Sequence, residues 1–377
     1  RTDYVYNGNY TNMLVCNYHN LTIGRGISTN EDSYTFGTIV GGSLNKNTGY
    51  RTGTIGIHNM VIESGIYNNI IGSDSTSSNN GTTYVTHEIE LGSRKHAVTG
   101  RYDYLKVKGY FMLGQGESNH YAYDTDYANI TIYAGTFTGE QSFNTYSDNT
   151  VIYARSLEGT DGAEGIVNLN MYGGSVEGNI SAGARTNNTN TDQVVNNINL
   201  YRATINGNVF GQGIISNWYG SSNINVQGET VINGDVYGGA NATQANTGSG
   251  IGNLTVNISG NATINGNVYG GSRGSMDNTE STTAMNGNAT VNITSGTING
   301  NVYGGSYNHN IEGTANATVN GATAKIYGNI YGGSYNGTVE NTSVNILRGT
   351  IGTLENPVNI YDGGSGNNSR IDEAANV

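Results

Sequence analysis

Four tyrosines fall at one position of a recurring octapeptide: Tyr237, Tyr269, Tyr303 and Tyr331, with Phe210 in the copy before them. The octapeptide reads INGNVYGG at residues 264–271 and 298–305, INGDVYGG at 232–239, IYGNIYGG at 326–333 and INGNVFGQ at 205–212. Each aromatic residue follows an apolar one: Val209, Val236, Val268, Val302 or Ile330. Neighbours on an extended strand point to opposite faces. One of each pair must therefore leave the core, and the tyrosine is expected to be that one. Aromatic rings stacked at strand spacing can pack beneath variable loops and support the stack. They can instead serve as a platform for sugar rings or for a neighbouring subunit. Phe210, Tyr237, Tyr269, Tyr303 and Tyr331 are accordingly the candidates for ligand or subunit contact.

Asn208, Asn267, Asn301 and Asn329 stand just before the core residue, with Asp235 interrupting the series. In-register asparagines hydrogen-bond along a stack as ladders, so their role is read as structural. Asp235 lacks the amide donor and is expected to weaken the ladder without breaking it. It is also the acid to inspect for a carboxylate pair about 5–10 Å apart, the geometry of glycoside cleavage. The other acids of this half, Glu229, Asp277, Glu280, Glu312, Glu340, Glu355 and Asp362, share no common repeat position. No catalytic residue is expected.

Metal signals are thin, and neither a metal nor a cofactor is expected. Asp124 and Asp126 read as a solvated loop, and the GGSGNN of residues 363–368 is a single calcium-type turn where such turns work in arrays. His87-Glu88-Ile89-Glu90 lacks the second histidine of a zinc protease motif. Cys16, three residues before His19, has no disulfide partner within the chain. The densest basic group is Arg94, Lys95, His96, Arg101, Lys106 and Lys108. It reads as a solvated face, with an anion or acidic-glycan contact as the lesser reading. Glycosylation sequons occur at Asn129, Asn253, Asn257, Asn261, Asn288 and Asn292, but so many Asn, Ser and Thr residues make them a weak signal.

The elements that position these residues follow from the repeat. Its central apolar residues, Ile180, Val209, Val236, Val268, Val302 and Ile330, are separated by 29, 27, 32, 34 and 28 residues. Weaker copies are read at 38–43, 69–73, 111–116 and 359–365, whereas 137–143 is hard to place. Upstream of each clear copy lies a segment such as NINLY (197–201), LTVNI (254–258) or ATVNI (289–293). These alternate apolar and polar residues at the period of a strand with one buried face. Gly-Gly and Asn-Gly pairs punctuate them as turns require. One such unit cannot bury its own apolar face, whereas stacked units bury a continuous core. The spacing therefore predicts an all-β, single-stranded parallel β-helix (a β-solenoid) of about eleven rungs, a rod on the order of 50 Å long. A β-propeller would need four strands in about 40–50 residues per blade.

The expected division is an N-terminal cap or donated strand over 1–19, a repeat domain over 20–365 and a polar tail over 366–377. In the first of these, Tyr4, Val5, Tyr6 and Tyr10 are the assembly candidates. The net charge of −12 argues against a nucleic-acid partner. No run of eighteen apolar residues exists, so no membrane span is expected. The opening Arg-Thr-Asp without a leader reads as a processed or trimmed form.

The string TINGNVYGG, preceded by GNATVNI or similar, resembles the glycine-rich rungs of bacterial surface β-helix proteins, with autotransporter-passenger-type adhesins the nearest family. The likeness is close over 168–334 and loose before it. It implies export, display at the cell surface or beyond, and a role in adhesion or aggregation. Neither a translocator barrel nor a wall anchor is recognisable, and this favours self-association head to tail into an open filament. The expectation is a secreted, non-enzymatic structural or adhesive protein with surface glycans as further candidate partners. The alternative is a carbohydrate-active β-helix enzyme or a glycan-binding spike.

Overall fold

The structure, a computed structural model, describes residues 4–6, 13–15, 20–24, 35–40, 44–45, 57–72, 75–76, 86–95, 104–114, 127–140, 149–156, 165–183, 194–213, 218–241, 250–274, 284–366 and 369–376. Among these, every element is a β-strand apart from a helical turn at residues 94–95. The chain divides into two compact units, Arg1–Asn190 and Thr191–Val377.

In the first unit, strands from successive repeats pair parallel and in register along three rows. One row aligns Leu21, Met60, Ile89, Ile130 and Leu169. A second aligns Ile39, Ile70, Phe111, Ile152 and Ile180. A third aligns Tyr67, Val107, Phe137 and Val176. Phe137 thus has a place in the repeat that its sequence context obscured. The opening strand Tyr4–Tyr6 runs antiparallel to Met13–Val15 of the same chain, which in turn pairs parallel with Thr35–Val40. Tyr4, Val5 and Tyr6 are therefore paired within their own chain. Tyr10, Cys16 and His19 lie outside the described residues.

The second unit is more regular. Its first row aligns Ile198, Ile224, Val256, Val291, Ala317 and Val344. Its second aligns Ile205, Ile232, Ile264, Ile298, Ile326 and Ile351. The third aligns the octapeptide centres Val209, Val236, Val268, Val302, Ile330 and Ile360. Apart from Ala317 these are all Ile or Val, and apart from Ile351 and Ile360 they are buried. Strands favour such side chains because they pack well on a pleated surface.

The Gly-Gly pairs have a different cause from the one turn chemistry suggests. None of those in the octapeptides takes a positive φ. A Cβ on Gly238 would lie 2.1 Å from the carbonyl oxygen of Gly270, and one on Gly270 would lie 2.3 Å from that of Gly304. Glycine is required there because backbones of successive repeats approach each other closely.

Candidate functional site

The octapeptide tyrosines come together as a single column. Phe210, Tyr237, Tyr269, Tyr303, Tyr331 and Tyr361 stack with centroid separations of 5.1, 4.8, 4.7, 4.7 and 4.9 Å and interplanar angles of at most 9°. Strand pairing sets this spacing, since parallel partners in register repeat at about 4.8 Å. From Tyr237 to Tyr331 each ring has a neighbouring ring on both faces. Tyr307 and Tyr335, themselves stacked at 4.9 Å, set their rings edge-on to Tyr269 and Tyr303. Phe210 is fully buried and Tyr237, Tyr269 and Tyr303 are each 3% exposed, whereas Tyr361 is 43% exposed. The tyrosines leave the apolar core, as their alternation with valine demands, and enter a second, aromatic core. Burial raises the hydroxyls of Tyr237, Tyr269 and Tyr303 above the usual phenol range, because the phenolate would have to form out of water.

The asparagine series forms a ladder of an unexpected kind. The side-chain oxygen of each member accepts the backbone N–H of the next. Asn208 accepts from Asp235 at 2.7 Å, Asn267 from Asn301, Asn301 from Asn329 and Asn329 from Asn359, each at 2.8 Å. Because the position needs only an acceptor, the ladder passes through Asp235 without a gap. Asp235 Oδ1 accepts the N–H of Asn267 at 2.6 Å, and Oδ2 accepts the Tyr237 hydroxyl at 2.9 Å. Both oxygens of Asp235, the acid to inspect for a carboxylate pair, are thus engaged inside the stack.

Three further ladders escaped the sequence reading. Amide-to-amide bonds join Asn299 to Asn265, Asn265 to Asn233 and Asn233 to Asn206 along an exposed row. A second such row runs from Asn292 through Asn257 and Asn225 to Asn199. Buried serines make the third: Ser272 Oγ accepts the N–H of Ala240, Ser306 Oγ that of Ser272, and Ser334 Oγ that of Ser306. The serine after the Gly-Gly pairs at 270–271, 304–305 and 332–333 was the available signal for it. At the sequons Asn257, Asn292 and Asn129 the glycan-accepting Nδ2 already donates, to Asn225, Asn257 and Glu88 respectively.

In the first unit the basic group is partly tied down. Arg94 Nε donates to the Tyr133 hydroxyl at 2.8 Å and its guanidinium lies 5.1 Å from that ring centre. Lys106 pairs with Glu140 at 3.7 Å. His96 and Arg101, like Asp124, Asp126, Asp277, Glu280 and Asn368, lie outside the described residues. Among the described residues no three His, Cys, Asp or Glu side chains gather where a metal could sit, and no helix is long and apolar enough to cross a membrane. Comparison with family models, with curated proteins and with solved structures gives no match.

Proposed function

We propose that the chain is a parallel β-helix of about eleven rungs serving as a non-enzymatic structural or adhesive protein outside the cell or on its surface, with copies joined end to end. The observation that carries this reading is that the recurrent polar and aromatic side chains of the repeat reach the neighbouring repeat. Tyrosine stacks on tyrosine, asparagine accepts the next N–H, and serine accepts the preceding one. A repeat so built is extensible, because its last copy offers the contacts that the copies before it use. Tyr361 keeps an exposed ring, Ile360 is 41% exposed, and the side-chain oxygen of Asn359 has no partner among the described residues. The pairing of Tyr4–Tyr6 on its own chain favours a joint at the Tyr361 end over a donated opening strand. Electron microscopy of the natively isolated protein tests this: fibres are expected from wild type and separate particles from Tyr361→Arg. Separate wild-type particles would overturn the end-to-end joint.

A further inference from the structure

We infer that Asn299 is a self-modifying site, deamidating through attack by the Gly300 nitrogen ahead of Asn233 and Asn265 in its ladder. Asn206, Asn233, Asn265 and Asn299 are all exposed and all followed by glycine, which has no Cβ to hinder approach of its nitrogen. In this reaction the glycine nitrogen bonds to the asparagine Cγ and the Cγ–Nδ2 bond breaks. The glycine N–H proton leaves with the amine as ammonia. Water then opens the resulting succinimide to aspartate or isoaspartate.

The flanking sequence is TINGN at Asn206, Asn265 and Asn299 and VINGD at Asn233, so a difference between Asn299 and Asn265 must come from the structure. Asn233 and Asn265 are held at both ends, donating through Nδ2 to the previous asparagine and accepting at Oδ1 from the next. At Asn233 the nucleophile is held too, since the Gly234 N–H donates to the Gly207 carbonyl at 3.2 Å. Asn299 is held at one end only: its Nδ2 donates to Asn265 at 2.7 Å, but the next repeat places Tyr327 where an asparagine would donate. Among the described residues neither Asn299 Oδ1 nor the Gly300 N–H has a partner.

The product alters the stack. A carboxylate at 299 faces Asn265 Oδ1 where a donor stood, so the amide of Asn265 must turn over, and Asn233 and Asn206 must follow. The isoaspartate branch adds a backbone methylene just before Asn301 and Tyr303, which belong to the acceptor ladder and the aromatic column. The site stands whether or not copies join end to end.

Peptide mapping by mass spectrometry after incubation of the folded protein at mildly alkaline pH provides the test. Asn299 is expected to convert several-fold faster than Asn233 and Asn265. Tyr327→Asn continues the ladder by one repeat and supplies the missing donor, so it is expected to slow Asn299 several-fold. Asn265→Leu removes the acceptor for Asn299 Nδ2 and is expected to accelerate it. Both effects should vanish in denaturant, where only sequence context remains. Equal rates at the three asparagines in the folded chain, or no response of Asn299 to either substitution, would overturn the inference.

Discussion

Asn301 shows what one residue contributes: its Oδ1 satisfies the N–H of Asn329, while its own N–H is satisfied by Asn267. Asn301→Asp keeps the acceptor and should change stability by less than about 0.5 kcal/mol. Asn301→Leu orphans a half-buried N–H and should cost on the order of 1 kcal/mol; denaturant unfolding of the two variants separates them. At Tyr269, with rings on both faces, truncation to alanine should cost about 3–5 kcal/mol. Tyr269→Phe should cost little, since Phe210 already occupies the same column and the Tyr269 hydroxyl has no partner among the described residues. Which residues recur was legible from the sequence, and so was the departure of Tyr269 from the apolar core. Who donates to whom was not, because periodicity places Asn301 beside Asn267 and Asn329 without orienting an amide. That is why Asp235 looked like a flaw in a ladder it continues, and why the serine row went unseen. Burial of the column likewise depends on Tyr307 and Tyr335, which follow the Gly-Gly-Ser turn and not the strand period.

At the scale of the element, the strands were readable because buried Leu, Val and Ile alternate with less buried and mostly polar residues over segments such as Leu254–Ile258 and Val194–Leu200. Register followed from the octapeptide, since Val236, Val268 and Val302 do pair. Less legible was the third row of the first unit, where Leu105–Val107, Thr136–Phe137 and Ser175–Val176 are too short to show a period. The Gly-Gly corners give the sharpest prediction at this scale. Gly270→Ala places a methyl against a backbone carbonyl that cannot rotate away, and should cost roughly 1–3 kcal/mol. Asn265→Ala, on the exposed face of the same strand–turn, should cost less than half of that. Thermal unfolding of the pair checks whether close approach, and not turn conformation, selects glycine.

At the scale of the whole molecule, the buried tyrosines tie stability to pH. A phenol whose pKa is raised by folding leaves stability intact below its unfolded value of about 10. Above that pH the unfolded chain ionises and the folded one does not, so stability falls by about 1.4 kcal/mol per pH unit for each tyrosine held protonated. Tyr67, Tyr237 and Tyr269 all act in this direction. Arg155, whose guanidinium burial lowers to about 9, acts oppositely. Its folded form sheds its proton first, so it returns stability as pH rises from about 9 toward the unfolded value. Several tyrosines against one arginine give net alkaline unfolding above about pH 10.

From Tyr237 to Tyr331 the repeat's tyrosines are buried in the stack, face on face. Spectrophotometric titration of the tyrosines, followed together with circular dichroism in the same sample, tests it most directly. Tyr237 and Tyr269 should ionise only as the β signal collapses, in one step. Smooth ionisation of all the tyrosines around the ordinary phenol pKa, with the β signal intact, would show that the column is not buried.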